Sequence, residues 1–142
     1  MSTFTDAELA YLSSQRLGRL ATVAADGAPQ NNPVGLHYNP QLETIDIYGL
    51  NLGATRKYRN VRTHAAVALV VDDLVSVDPW RVRGVEVRGQ AEALEEGAPA
   101  MAGMSREVIR IHPRRIISWG IDPDDPGAPA RDIAGAPGVR VA

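Results

Sequence analysis

The pattern that most limits the fold of this chain is a series of short β-type segments separated by turn residues. Residues 44–48 and 82–94 alternate apolar and polar side chains, and residues 66–71 form a continuous apolar run. Turn signals such as Ala25-Asp26-Gly27 and Asn39-Pro40 end such segments. Short strands separated by turns are typical of an antiparallel sandwich or barrel, and the missing strand–helix alternation argues against a Rossmann-type sheet.

The other segments complete a prediction of six or seven strands and two small helices. Thr5 and Glu8 have the spacing of a capping box, which predicts a first helix over residues 6–15. Pro33 restricts its own strand to an edge, a bulge or a kink, because proline cannot donate to a sheet. Further elements are a second helix at 54–64, strands at 18–24, 29–38, 107–111 and 115–121, the last two hinged at His112-Pro113, and a loop at 72–80.

Length and composition indicate one folded domain. The chain has 142 residues, of which 44% are hydrophobic and 23% charged, as in ordinary globular domains. We expect the domain to cover residues 1–122. Residues 123–142 should form a loose tail or an arm, because seven of these twenty are proline or glycine.

Several classes of protein and site are disfavoured by what the sequence lacks. There is no cysteine, which excludes disulfides and thiolate chemistry. A net charge of −2 argues against a duplex DNA binder. No run approaches the about 20 apolar residues of a membrane span, and no signal peptide is recognisable, so we expect a cytoplasmic protein. His37, His64 and His112 are far apart in sequence, so we predict no metal site, and no motif identifies a catalytic residue.

A basic segment at the start of the second predicted helix is the strongest candidate site. Arg56, Lys57, Arg59 and Arg62 fall within seven residues, and Lys57 is the single lysine of the chain. Free backbone N–H groups and the helix dipole favour an anion there, and the Thr55 hydroxyl can add a further donor. A spacing of three places Arg56, Arg59 and Arg62 on one face. The alternative is a solvated basic face without a ligand.

Two further segments carry groups that suit a planar ligand. Gln30, Asn31 and Asn32 place three amides on one strand, where they can pair with the edge of a heterocycle. Their alternative role is to blunt a polar edge strand. Trp80 follows Asp78-Pro79 in a loop and can stack on a flat ring, although a tryptophan there also serves as a rim or core residue.

Four segments between about residue 4 and residue 122 stand in a recognisable order. They are Arg19-Leu-Ala-Thr-Val through Asn32-Pro-Val, Thr55-Arg-Lys-Tyr-Arg-Asn-Val-Arg62 with the following strand to Asp72, Pro79-Trp through Gly89, and Ile109-Arg-Ile-His-Pro-Arg-Arg-Ile-Ile-Ser-Trp119. This ordered set resembles the pyridoxamine-phosphate-oxidase-like split barrels, and among these the actinobacterial deazaflavin-dependent reductases that use coenzyme F420. The subgroup it is most similar to includes dehydrotetracycline reductases.

The resemblance implies a fold and a cofactor site. The fold would be a six-stranded antiparallel split β-barrel of Greek-key, FMN-binding-like type with two or three short helices, forming a homodimer with the cofactor at the interface. Thr55, Arg56 and Lys57 would hold the cofactor phosphate, with Asn60 nearby. The deazaflavin ring would be lined by Gln30, Asn32, Pro33 and Val34, its tail bordered by Tyr48 and Asn51, and Trp80 would reach in from the partner subunit.

The implied activity is an F420H2-dependent reduction of a small molecule. A hydride would pass from the deazaflavin to an electron-poor C=C bond, such as that of a conjugated enone, a quinone-like compound or a polyketide antibiotic intermediate. The alternatives are an FMN-dependent oxidase or flavin reductase of the pyridoxamine-phosphate-oxidase type, and a non-catalytic carrier of F420 or flavin. A plain interaction domain, whose basic helix meets an acidic partner, is a further alternative.

Overall fold

The computed structural model describes residues 3–122, 124 and 130–133, and in these the chain is mainly β. Two α-helices and a short 3₁₀ turn, Leu52–Ala54, lie between the strands. The helices are α1 (Asp6–Ser14) and α2 (Arg56–Thr63). The strands are β1 (Leu17–Val23), β2 (Pro29–Gly35), β3 (His37–Asn39), β4 (Thr44–Ile47), β5 (Ala66–Ser76), β6 (Arg81–Leu94), β7 (Val108–Trp119) and β8 (Arg131–Asp132).

All eight strands belong to one antiparallel sheet with the order β2-β1-β5-β6-β7-β4-β3, and β8 pairs with β7. The chain leaves β4, forms α2, runs through β5, β6 and β7, and returns to pair β7 with β4, which is a Greek-key arrangement. The predicted antiparallel split barrel is confirmed. Besides the six strands of the barrel that the resemblance implies, the structure contains two very short strands, β3 and β8.

The core lies on the inner face of the sheet and is closed by the two helices. Alternation along β6 turns its apolar side chains inward, as the period-two pattern of residues 82–94 predicts, whereas all four residues of β4 are buried. Phe4 and Leu12 cover it beside α1, and Tyr58 and Val61 cover it from α2. The fully buried residues of the sheet include Leu20, Ile45, Ile47, Leu69, Val71, Val85, Val87, Ile109, Ile111 and Ile116.

The predicted loop at 72–80 is wrong over its first half, because β5 continues to Ser76 and pairs with β6. Asp72 and Asp73 read as loop residues from sequence alone. In the sheet, however, Asp73 lies opposite Arg83 and accepts a 2.7 Å hydrogen bond from its Nε. Asp72 pairs with Arg19 of β1. Cross-strand cations therefore balance the acidic residues, and only residues 77–80 form the turn.

Two predicted strand boundaries also change. The predicted strand at 29–38 divides into β2, which pairs with β1 only, and β3, which pairs with β4. β2 is thus an edge strand, which is one of the three settings that Pro33 allows. The predicted hinge at His112-Pro113 is instead part of a continuous β7, with a register shift opposite Arg88 and Gly89. The shift accommodates the proline without ending the strand.

Gly89 is required at this register shift by its close approach to β7. A Cβ atom at Gly89 would lie 2.2 Å from the backbone oxygen of His112. No side chain fits in that space, so the bulge depends on glycine.

The N-terminal helix and the C-terminal segment are joined by a buried ion pair. Thr5 and Glu8 form the predicted capping box, with Thr5 Oγ1 accepting from the Glu8 N–H at 3.1 Å. The Glu8 carboxylate is completely buried and also accepts from Arg131 at 2.6 and 2.9 Å. β8, which carries Arg131, lies inside the segment expected to be a loose tail. Residues 130–133 therefore pack on the barrel.

Candidate functional site

A cavity of about 530 Å³ lies between the β1–β2 hairpin and α2. It brings together four of the residues singled out from the sequence, Gln30, Arg56, Arg59 and Asn60, whereas Lys57 is not part of its lining. The remaining lining residues are Ala24, Ala25, Asp26, Ala28 and Thr63. Its volume falls in the range of small-molecule sites, and its walls combine cations, amides and small apolar side chains.

α2 starts at a capping residue that fixes its first turn next to this cavity. Thr55 is the N-cap, and its Oγ1 accepts from the Tyr58 N–H at 3.4 Å. The same hydroxyl donates to the Leu52 backbone oxygen at 2.6 Å. The single hydroxyl proton of Thr55 is therefore donated within the chain and is not available to a ligand. Its contribution to the site is the placement of the helix N-terminus and the side chains that follow it.

The cations of α2 point in two directions. Arg56, Arg59 and Thr63 face the cavity, at helical spacings of three and four. Arg62 does not share this face, contrary to the sequence prediction, because six residues rotate an α-helix by about 600°, roughly 120° short of two turns. Arg62 instead lies over the Tyr58 ring at 4.8 Å and pairs with Glu95 at 3.7 Å.

Among the residues that the structure describes, no carboxylate pairs with Arg56, Lys57 or Arg59. Arg56 and Arg59 are exposed, and Lys57 is half-buried. The one acidic residue of the lining, Asp26, accepts a hydrogen bond from the Ala28 N–H at 3.0 Å. Unpaired cations at a helix N-terminus are the donor set that binds phosphate.

A buried amide network joins α2 to the hairpin. Asn60 is only 5% exposed, and its Nδ2 donates to Thr22 Oγ1 at 3.0 Å and to Gln30 Oε1 at 2.7 Å. Thr22 and Gln30 are directly opposite each other on β1 and β2. The sequence predicted only that Asn60 lies near the phosphate. In the structure its side chain connects the basic helix to the amide-bearing strand β2.

The other predicted ring-lining residues of β2 lie on two faces of that strand. Asn32 and Val34 share a face with Gln30, because alternate residues of a strand point the same way. Val34 is buried in the core, whereas Asn32 is exposed at the sheet edge. Pro33 lies on the opposite face with Asn31. Asn32, Pro33 and Val34 are therefore not among the residues that line the cavity beside α2.

Tyr48 and Asn51 lie after β4, on the approach to α2. The Tyr48 ring stacks on His37, with centroids 4.6 Å apart. Burial and the nearby Asp46 carboxylate raise the pKa of the Tyr48 phenol. Asp46 is itself buried and accepts two 3.1 Å hydrogen bonds from Arg110. Asn51 is exposed and directly precedes the 3₁₀ turn.

Trp80 lies at the end of the β5–β6 hairpin, where it is 68% exposed. A core role is therefore excluded within the described chain. Val77, in the same turn, is 70% exposed, and Val75 and Val82 beside it are also exposed. This end of the hairpin is an apolar surface separate from the cavity at α2.

Within the described part of the chain, no group of three or more His, Asp or Glu side chains has the arrangement to hold a metal ion. The helices described are also too short or too polar to cross a membrane.

The fold and the cation-lined cavity define a small split-barrel protein with room for an anionic ligand. The family model for pyridoxamine 5'-phosphate oxidase matches residues 4–134. The chain belongs to this family.

Comparisons with individual proteins agree with this assignment. The chain is 46% identical over 139 residues to a 5a,11a-dehydrotetracycline/5a,11a-dehydrooxytetracycline reductase of Streptomyces rimosus, covering 96% of this chain and 98% of that protein. A conserved hypothetical protein of Mycobacterium tuberculosis shares the fold with a TM-score of 0.66, 22% identity and 94% coverage of both chains. A structure described as an F420 reductase has a TM-score of 0.61 and 24% identity, covering 80% of this chain and 98% of that one.

Sequence reasoning missed several residues that line the cavity. Thr63 continues the face of Arg56 and Arg59 along α2, but a threonine at that spacing does not indicate a site by itself. The small residues Ala24, Ala25 and Ala28 carry no chemical signal in sequence. They form the wall because the hairpin turn folds toward α2, which only the structure shows.

Proposed function

We propose that this protein is an F420H2-dependent reductase that acts on an oxygenated polycyclic small molecule. The observation that carries the proposal is the 46% identity to a dehydrotetracycline reductase across nearly the full length of both chains. The cation-lined cavity beside α2 supports it, since coenzyme F420 is a planar cofactor with an anionic tail. The substrate class we propose is a conjugated enone or quinone-like compound, such as a polyketide intermediate.

The residues present fit such a cofactor. Arg56 and Lys57 would bind its phosphate with charge-assisted hydrogen bonds, and Thr55 would hold the helix N-terminus in place for them. Gln30, oriented by Asn60, would direct an amide toward the ring. The predicted contacts of Asn32, Pro33 and Val34 with the ring, and of Tyr48 and Asn51 with the tail, remain part of the proposal.

The chemistry itself comes from the cofactor, which when reduced supplies a hydride to an electron-poor carbon. The chain's own task is to bind, to orient and to stabilise negative charge that develops on the substrate carbonyl oxygen. Such stabilisation needs hydrogen-bond donors rather than a nucleophile, which is consistent with a chain that has no cysteine.

We further propose that the protein works as a homodimer, in which Trp80 reaches the site of the partner subunit. The exposure of Trp80 and Val77 at the hairpin end supports this, because exposed apolar groups of this size commonly mark an interaction surface. The cytoplasmic location expected from the sequence stays a prediction.

The experiment that tests the proposal is a parallel titration of purified protein with coenzyme F420 and with FMN, followed by cofactor fluorescence. Reduced cofactor is then mixed with 5a,11a-dehydrotetracycline, and product formation is measured. We expect tight F420 binding and turnover. Tight binding of FMN alone would instead assign the protein to the flavin-dependent oxidases and reductases of the family. F420 binding without turnover of any enone or quinone tested would identify a carrier.

A further inference from the structure

The two edges of the curled sheet are joined by a single residue. β2 and β3 lie at opposite ends of the strand order, yet only Leu36 separates them in the chain. The inward alternation continues across this connection, since Val34 is buried and Leu36 and Tyr38 pack against the core. Residues 33, 35 and 37 therefore face outward together, at the split of the barrel.

This outward row contains a recess, because its middle residue is a glycine. Pro33, one of the proposed ring contacts, lies on one side of Gly35, and His37 lies on the other. Apart from the adjoining residues, the nearest atom to a Cβ added at Gly35 is the Arg16 backbone oxygen at 4.0 Å, so the space over Gly35 is open. The four residues from Pro33 to His37 span at most about 14 Å, so the recess adjoins the proposed ring position.

Tyr48 borders the recess from the other edge of the sheet. It follows Asp46 by two residues, and it therefore shares the outward face on which Asp46 lies opposite His37. The Tyr48 ring stacks on the His37 ring, with centroids 4.6 Å apart and planes inclined by 27°. The pairing of β3 with β4 and this stack thus hold a phenol beside the open space over Gly35.

The Tyr48 hydroxyl is free to donate to a ligand. It has no hydrogen-bond partner in the part of the chain that the structure describes, whereas the hydroxyls of Tyr11 and Tyr58 donate to Asp73 and to the Leu94 backbone oxygen. Burial and the nearby Asp46 carboxylate raise the pKa of the Tyr48 phenol, so the hydroxyl keeps its proton near pH 7.

The Asp46 carboxylate does not compete for this proton, because it is already supplied with donors. Arg110 donates two hydrogen bonds to it at 3.1 Å, and Thr44 and Asn39 donate one each at 2.9 and 3.2 Å. A carboxylate with four donors is a weak acceptor for a fifth. The proton of Tyr48 is therefore directed to whatever occupies the recess.

We propose that Tyr48 is the catalytic proton donor of the reduction and that His37 is the residue that positions it. The inference rests on the proposed reductase function. It reassigns Tyr48 from the predicted contact with the cofactor tail to the reacting end of the cofactor, next to Pro33. Asn51 keeps its proposed contact with the tail.

The donated proton completes the reaction. When the β-carbon of a conjugated enone accepts a hydride, the electron pair of its C=C bond moves toward the carbonyl, and negative charge collects on the oxygen. The Tyr48 hydroxyl donates a hydrogen bond to this oxygen and then transfers its proton, which gives an enol that tautomerises to the ketone. The Tyr48 phenolate regains a proton from water, to which the half-buried side chain is open. In sum the substrate gains one proton and, at the expense of the reduced deazaflavin, one hydride.

The donor role is tested by Tyr48→Phe, which removes the hydroxyl and keeps the ring stack. We expect kcat for reduction of 5a,11a-dehydrotetracycline to fall about hundredfold, a usual contribution of a general acid. The dissociation constant of F420 and the melting temperature should stay at the wild-type values. Tyr38→Phe is the matched control and should keep the wild-type kcat, because the Tyr38 ring faces the core, edge-on to Phe4.

The positioning role is tested at His37. His37→Ala removes the stack and should lower kcat about tenfold through misplacement of the phenol, whereas His37→Phe keeps a ring there and should restore most of the rate. A wild-type kcat in His37→Ala would overturn the positioning role. If Tyr48→Phe weakens F420 binding but leaves kcat unchanged at saturating cofactor, Tyr48 contacts the tail and the donor role is overturned.

A binding measurement decides the proposal if the wild type shows no turnover. 2-Naphthol, a planar phenol whose anion resembles the enolate, is titrated by calorimetry into protein with F420 present. Tyr48→Phe should bind it about tenfold more weakly than the wild type, and Tyr38→Phe equally well. In that case equal affinity of Tyr48→Phe and the wild type, or no binding by the wild type, overturns the donor role. Weaker binding by Tyr48→Phe without any turnover supports the recess and speaks only against the reductase function.

Discussion

The side-chain amide of Asn60 donates to Gln30 Oε1 across 2.7 Å, and this single contact joins the basic helix to the edge strand of the barrel. Asn60 also donates to Thr22, which is 1% exposed. The cations of α2 and the amides of β2 are therefore parts of one rigid arrangement. Movement of either element changes the distance between the proposed phosphate and ring contacts.

Asn60→Ala should destabilise the protein by about 1–3 kcal/mol, because it leaves the buried Thr22 hydroxyl without this partner and opens a gap under Gln30. Gln30→Ala should cost less, since Gln30 is only half-buried. Urea denaturation of both variants and of the double variant measures their coupling. Fully additive losses would show that the Asn60–Gln30 contact contributes no stability.

Lys57→Ala and Arg56→Ala should each weaken cofactor binding by about ten- to a hundredfold, the effect of losing one charge-assisted hydrogen bond to phosphate. Arg62→Ala is the matched control, because it removes a cation from the same helix but from the side that faces Tyr58 and Glu95. Fluorescence titration gives the three dissociation constants. If Lys57→Ala and Arg56→Ala bind the cofactor as tightly as Arg62→Ala and the wild type do, the phosphate site is refuted.

Trp80→Ala should leave the free energy of unfolding of the subunit within about 0.5 kcal/mol, because a mostly exposed side chain contributes little to the core. The same substitution should weaken dimerisation and cofactor binding if Trp80 reaches the partner's site. Analytical ultracentrifugation and cofactor titration measure the two effects. A stable variant with unchanged assembly and affinity would remove Trp80 from the proposed site.

Gly89→Ala should destabilise the protein by about 3 kcal/mol, because the new Cβ would overlap the His112 backbone oxygen. Gly35→Ala is the matched control. The nearest atom to a Cβ there is the Arg16 backbone oxygen at 4.0 Å, so the methyl group fits. Thermal unfolding of both variants makes the comparison. A Gly89→Ala variant as stable as the control would mean that the β6–β7 bulge relaxes freely.

The Glu8–Arg131 pair should make stability fall in acid. Burial alone would raise the pKa of Glu8, but hydrogen bonds from Arg131 and from the Thr5 N–H outweigh it, so the pKa lies below the ordinary 4.5. A lowered pKa in the folded state gives stability that is complete above about pH 4.5 and is lost as the pH falls through the folded value.

Two variants test this pair. Arg131→Ala should cost about 3 kcal/mol near pH 7, since it leaves a buried carboxylate unpaired. In Glu8→Gln the fall of stability with acid should be shallower than in the wild type. Urea denaturation between pH 7 and pH 3 gives both results, and identical acid profiles for Glu8→Gln and the wild type would contradict the assignment.

Local pattern was sufficient for most of the fold and for part of the site. The period-two alternation of β4 and β6 and the capping box of α1 depend on near neighbours, so the sequence contains them. The strand character of Asp72 and Asp73 was missed because it depends on Arg19 and Arg83, which are distant in sequence. The same holds for β8, whose pairing with β7 has no local signature.

In the site, the predicted directions of the α2 cations were right or wrong according to their helical spacing. The basic segment identified α2 and its N-terminus, but a spacing of six turned Arg62 toward Tyr58 instead of the cavity. The buried role of Asn60 depends on Thr22 and Gln30, which are 38 and 30 residues away. A cavity wall made of alanine backbone and methyl groups has no recognisable sequence pattern at all.

The pairing of Glu8 with Arg131 also sets the order in which parts of the chain can fold during synthesis. The two residues are 123 positions apart, so at about 5–20 residues per second the ribosome needs roughly 6–25 s to add the second after the first. During that interval the nascent chain can form α1 and the first hairpin, but the carboxylate has no cation to neutralise it. The buried ion pair that fixes the N-terminal helix is therefore completed only after translation has passed β8, although that helix is the first described element to be synthesised.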